Sequence, residues 1–134
     1  MKPQTMSKKT LTISGRLDGL NNYTTACRSH AQVGARMKKE NQKLCQWYIR
    51  AQLHGVHYDA PVRLDFRWYE PNKKRDLDNI AFAKKFIQDA LVKEKIIASD
   101  GWKGVSGFSD SFFVDKNNPR VEVDIDYDDE LLPI

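Results

Sequence analysis

Long apolar runs are missing from this 134-residue chain. No stretch approaches the roughly 20 residues that a membrane-spanning helix needs. The start, Met1-Lys2-Pro3-Gln4, has no apolar core of the kind a secretion signal carries. The expectation is a soluble, cytoplasmic protein. Cysteine is scarce too: Cys27 and Cys45 lack metal-type spacing and, without a secretion signal, read as reduced packing residues. His30, His54 and His57 have no carboxylate or second histidine at ligand spacing, which leaves them structural or surface roles. Strong charge of one sign is also absent. The 22 basic residues outnumber the 18 acidic ones by only four, so an anionic partner is favoured mildly and the placement of charge must decide. There is no internal repeat. The length and the 40% hydrophobic content fit one domain, 1–134, with 1–9 and 126–134 as loose tails.

What is present falls into clear segments. Thr10 to Gly15 alternates like a strand, and Arg16 to Asn22 reads as a turn whose last residue caps a helix starting near Tyr23. From Tyr23 to about His54 there is no proline, and Gly34 marks a bend or a break between two helices. Met37, Leu44, Cys45, Tyr48 and Ala51 recur at helical spacing and predict its buried face. Arg28, His30, Arg36, Lys38 and Lys39 make the early part basic, either a DNA-facing surface or a solvated helix face. Val62 to Tyr69 alternates apolar and charged side chains, the clearest strand in the chain, and runs into the turn Pro71-Asn72. Lys116-Asn117-Asn118-Pro119 separates Ser111–Asp115 from Arg120–Ile125, which predicts a hairpin.

Chemistry concentrates between Glu70 and Gly101. Lys73-Lys74-Arg75 is followed at once by Asp76-Leu77-Asp78-Asn79. Carboxylate oxygens hold Mg²⁺ or Mn²⁺, which polarises a phosphodiester and activates water, while the cations neutralise a nucleic-acid backbone. Residues two apart in an extended segment project to one side, so Asp76 and Asp78 can face a single ion. A helical pattern then runs from Asn79 to Lys95, with Ile80, Ala83, Ile87, Ala90 and Leu91 as its apolar stripe. On the far side lie Asp78, Phe82, Lys85 and Asp89. Phe82 there reads as a subunit contact, a base-stacking surface or a ring half-covered by a neighbouring loop. Asp100, beside Gly101, can return a third carboxylate to the motif. An Asp-X-Asp pair by itself also suits helix capping, and Asp78 has that alternative.

Arg75-Asp76-Leu77-Asp78-Asn79, the later Asp89-Ala90-Leu91 and Asp100 resemble the RusA family of Holliday-junction resolvases. That resemblance implies an α+β fold, a small mixed sheet packed with two or three helices, in an intertwined or symmetric homodimer. It implies a Mg²⁺-dependent endonuclease, with Mn²⁺ as substitute, that resolves four-way DNA junctions by paired incisions in recombination and repair. The family's metal-binding aspartates match Asp76, Asp78 and Asp100. Its catalytic lysine corresponds to Lys85 by counting back from Asp89, with Lys84 as the alternative, because the interval after the first aspartate is longer here. Lys73, Lys74, Arg75, Lys84 and Arg16 are the expected DNA contacts. The long Trp102-to-Pro119 segment resembles a phage or prophage branch of the family.

Two other functions compete. A phosphatase would use Asp76 as a covalent nucleophile, but Lys-Lys-Arg intervenes between strand and motif, and no second phosphate-binding motif is evident. A non-catalytic DNA-binding or assembly protein of phage origin would keep the aspartates only as helix caps. It predicts DNA binding without incision.

Overall fold

The computed structural model describes residues 8–128. The chain forms β1 (Lys9–Ser14), α1 (Leu20–Ser29), α2 (Ala31–Gln52), β2 (Val62–Glu70), α3 (Leu77–Ala81), α4 (Lys84–Lys93), β3 (Val105–Val114) and β4 (Arg120–Tyr127). The strands make one mixed sheet in the order β1-β4-β2-β3, so the fold is α+β as the sequence predicts. β4 runs antiparallel to both β1 and β2, whereas β3 runs parallel to β2, with α3 and α4 in the crossover. Parallel neighbours need such a long connection. Among the described residues no helix is long and apolar enough to cross a membrane.

Alternation decides which sheet face is buried. Val62, Leu64, Phe66 and Trp68 of β2 align with Leu11, Ile13, Val121, Val123 and Ile125 of β1 and β4, all buried on one face. Cys45, Ile49, Leu53, Ile80, Phe86, Ile87 and Leu91 of the helices complete this core. Burial of each large apolar side chain contributes about 1.5–3 kcal/mol. The opposite face carries a charged grid, in which Arg67 bonds both Asp124 and Glu122, and Arg120 bonds Glu122 and Asp115. These carboxylates hold the Arg67 guanidinium above its ordinary pKa. Burial pushes the Cys45 thiol up to about 12, which makes it the inert packing residue the sequence predicts.

Several boundaries differ from expectation. Lys9 already belongs to β1, and Asp126 and Tyr127 belong to β4, so the predicted tails are shorter on both sides; residues 1–7 and 129–134 lie outside the described residues. Asn22 lies inside α1, whose N-cap is Gly19 without a side-chain bond. The long helix breaks at His30, not at Gly34. His30 is extended, and its Nδ1 accepts a hydrogen bond from the Gln32 amide, which caps α2. Gly34 serves the crossing of α1 on α2, where a Cβ would lie 2.4 Å from Cys27 Sγ.

The buried stripe of α2 is also rotated. It holds Asn41, Cys45 and Ile49, while Leu44 and Ala51 are exposed. Asn41 enters the core because its amide is fully used. Its Oδ1 accepts from the Asp18 amide at 3.0 Å, and its Nδ2 donates to Asp18 Oδ2 at 2.7 Å and to the Met37 carbonyl at 2.8 Å. Finally, β3 and β4 do not form the expected hairpin. They flank β2 on opposite sides, and the turn between them passes over its end, where the Asp115 amide donates to the Glu70 carbonyl at 2.8 Å.

Candidate active site

The alternation that buries Trp68 also turns Glu70 inward, leaving it 6% exposed. A carboxylate in that position needs charged partners. Arg75 supplies Nη2 at 2.8 Å and Nε at 3.0 Å, and Arg16 supplies Nη2 at 3.0 Å. Arg75 Nη1 also donates to the Leu17 carbonyl at 3.2 Å. This clamp joins the end of β2, the loop before α1 and the basic triplet. Arg75 is therefore turned inward, whereas Lys73 and Lys74 stand exposed. The Pro71-Asn72 turn forms as predicted, with Asn72 Oδ1 accepting from the Lys74 amide at 3.0 Å.

A second contact seats the motif. Asn79 is buried, and its Oδ1 accepts from the Asn21 amide at 2.8 Å. A Cβ at Gly19 would stand 2.5 Å from that same Oδ1 and 3.0 Å from Arg75 Nη1, so glycine is what allows the loop to close here.

Asp76 occupies the N-cap position of α3 in extended backbone, yet its side chain makes no capping bond. Asp78 lies in the first turn, and its Oδ1 accepts from the Asn79 amide at 2.9 Å. The extended geometry expected for the pair is thus half right, because the helix begins between them at Leu77. Both carboxylates are exposed, and among the described residues neither has an ion-pair partner.

Further along, α4 carries the two candidate lysines on different business. Lys84 Nζ lies 2.5 Å from Asp110 Oδ2 and 4.0 Å from the Phe108 ring centroid, fastening α4 to β3. Lys85 Nζ lies 2.6 Å from Asp100 Oδ2 and 3.1 Å from Asp89 Oδ1. Lys38 of α2 approaches the other oxygen of Asp89 at 3.8 Å. The bond to Asp100 above all raises the Lys85 ammonium pKa, and the same bond holds the Asp100 carboxyl below its usual range. Lys85 therefore meets one predicted metal ligand directly.

Asp76, Asp78 and Asp100 do not converge. Among the described residues, no three acidic, histidine or cysteine side chains are grouped so as to hold a metal ion. Mg²⁺ is commonly held by only one or two carboxylates, with phosphate and water completing its shell. Asp76 and Asp78 offer such hard oxygen donors with no ion-pair partner among the described residues, so the donor set fits. Asp100 is engaged by Lys85.

A cavity of about 880 Å³ opens beside the motif, with Lys73, Arg75 and Asp76 on one side and Asp110 and Phe113 on the other. Phe82 does not reach it as an open surface. Its ring is half-buried between Tyr23, centroid 5.4 Å away, and Phe86, 5.6 Å away, so it holds α1 against α4. Of the three readings open for Phe82, the structure matches the half-covered ring, with Tyr23 of α1 as the cover in place of a loop.

Glu70, Gly19, Asn79 and Asp110 are site residues that the sequence reading missed. Glu70 carried a signal, since it continues the even-numbered series that faces the core. Asp110 carried none, because only the parallel register of β3 on β2 brings it beside Phe66 and the Lys84 ammonium.

A sequence model of one protein family, described as endodeoxyribonuclease RusA, matches residues 18–126. That span contains the whole motif and begins just after Arg16. No curated protein matches the chain.

Proposed function

The chain belongs to the RusA endodeoxyribonuclease family, and from that premise we propose that it is a divalent-metal-dependent enzyme that resolves four-way DNA junctions as a homodimer in the cytoplasm. The observation that carries this reading is the open Asp76 and Asp78 pair beside exposed Lys73 and Lys74. Uncompensated neighbouring carboxylates cost repulsion, and a site that receives both a cation and a polyanion gives them a use.

In this reading, Lys73 and Lys74 bind backbone phosphates, so affinity falls steeply with salt. Arg75 and Arg16 act by position, since Glu70 holds both. Asp76 and Asp78 hold the ion, with Asp100 available once it leaves Lys85. Bound Mg²⁺, or Mn²⁺ in its place, supplies polarisation of the phosphate and a lower pKa for the attacking water. Lys85, half-exposed, exchanges Asp100 for the phosphate and neutralises the charge that builds on it. Lys84 keeps the wall of the cavity in place.

The dimer has a surface that fits it. Val33, Leu44 and Trp47 lie on one outer stripe of α2, 38%, 41% and 64% exposed. Apolar residues of that size aligned on a helix suit a subunit contact. A two-fold pair of sites matches the approximate symmetry of a junction.

One observation favours a non-catalytic DNA-binding role instead, namely that no three carboxylates converge among the described residues. Incision mapping on fixed and mobile synthetic junctions, with Mg²⁺, Mn²⁺ or chelator, decides between the two. Paired symmetric cuts that need the metal support the enzyme; metal-independent binding without cuts supports the binding protein.

A further inference from the structure

Across the uncovered face of the sheet, Arg120 of β4, Tyr69 of β2 and Phe113 of β3 occupy one row, since Tyr69 is in register with both neighbours. The Tyr69 and Phe113 rings are stacked with centroids 4.9 Å apart and planes 21° from parallel. The Arg120 guanidinium lies 3.8 Å from the Tyr69 centroid on the β4 side. The ring separation matches the spacing of neighbouring strands, about 4.8 Å. The rings therefore stand upright on the sheet, and the stack runs along its hydrogen-bonding direction.

That direction has one open end. β3 is an edge strand, so among the described residues no strand lies beyond Phe113, which is 43% exposed. The other end is fixed, because Arg120 is held by Asp115 at 2.8 Å, Glu122 at 2.8 Å and the Asn118 carbonyl at 2.9 Å. Phe113 also lines the cavity that contains Asp76. Exposed Lys73, Lys74 and Lys116 surround this end of the sheet.

We propose that the outer face of Phe113 receives an unstacked nucleobase of the DNA substrate, as the next member of the Arg120-Tyr69-Phe113 row. This rests on the reading of the chain as a junction endonuclease. A base offers a flat π-face at the spacing the row continues, and aromatic platforms bind bases with little sequence preference. The surrounding lysines fit the phosphates on either side of that base. A second copy of the chain fits this place less well, because the exposed apolar residues Val33, Leu44 and Trp47 that suit a subunit contact lie on α2, in a different layer. A stacked base beside Asp76 would fix which phosphodiester enters the cavity.

The test uses four-way junctions carrying 2-aminopurine at successive positions around the exchange point, bound to the full-length protein with chelator present. The expected result is a fluorescence change at one position with wild type. In Phe113→Ala that change disappears and binding weakens about tenfold, while Phe113→Trp retains both. Sedimentation of Phe113→Ala should match wild type. The proposal is overturned if Phe113→Ala binds with an undiminished fluorescence change. It is equally overturned if Phe113→Ala turns a dimer into a monomer, which would assign the ring to a second copy. A wild-type protein that binds no junction overturns the junction reading along with it.

Discussion

The two ends of the acidic stripe satisfy their charge in opposite ways. At the start of α3, Asp76 and Asp78 face solvent with no ion-pair partner among the described residues. Further along, on α4 and in the segment after it, Asp89 and Asp100 share Lys85, and Lys38 approaches from α2. In the proposed reading the first end accepts a positive ligand, while the second, where Lys85 and Lys38 meet Asp89 and Asp100, keeps a lysine that a phosphate would draw away. The basic triplet divides in the same manner, with Arg75 locked on Glu70 while Lys73 and Lys74 stay free to bind.

Substitutions at the open end should cost activity and nothing else. Asp76→Asn or Asp78→Asn should lower junction cleavage by about 10³-fold, the scale of losing a charge-organising group, with the melting temperature unchanged. A large fall in melting temperature would mean that these carboxylates are structural. The buried clamp should show the converse. Glu70→Ala leaves Arg75 and Arg16 without their shared partner and should destabilise the fold by about 3 kcal/mol in urea titration. A change within experimental error would contradict the anchoring role.

At the neutral end, the two lysines should separate. Lys85→Ala should reduce turnover by about 10²-fold with little effect on stability. Lys84→Ala should chiefly destabilise, because it strands Asp110 against the Trp68 indole. The reverse pattern would exchange their roles.

The smallest effect concerns pH. The Asp100 carboxyl titrates below its ordinary value because Lys85 bonds its charged form. The stability that this pair contributes is therefore present above the ordinary carboxylate pKa of about 3.9 and is lost as pH falls through the lower folded value. For so exposed a pair it amounts to about 0.5 kcal/mol. Asp100→Asn should remove that part of the acid dependence in thermal melts at successive pH. An unchanged acid limb would show that Asp100 does not hold Lys85 in solution.

Much of this was legible from the residues. β2, the apolar stripe of α4 and the motif at a strand-to-helix junction follow from alternation and helical period, which report burial directly. Helical period also placed Lys85 on one stripe with Asp89, which it meets at 3.1 Å. Where polar groups pair inside the protein, periodicity misled. Asn41 displaced Leu44 from the buried face because Asp18 satisfies it, and local pattern left Phe82 undecided because its cover, Tyr23, arrives from α1. β3 was mostly invisible because Ser106, Gly107, Ser109 and Ser111 dilute its alternation. Its parallel pairing with β2 depends on register between distant segments, which local pattern does not encode. The groove wall of Asp110 and Phe113 was hidden with it.

Metal-dependent junction resolution can be measured on a supercoiled plasmid whose inverted repeat extrudes a cruciform, incubated with the protein and Mg²⁺. Coordinated incision across the junction predicts linear plasmid as the first product, abolished by chelator and by Asp78→Asn. Nicked circles alone, or linear product undiminished in Asp78→Asn, would contradict it.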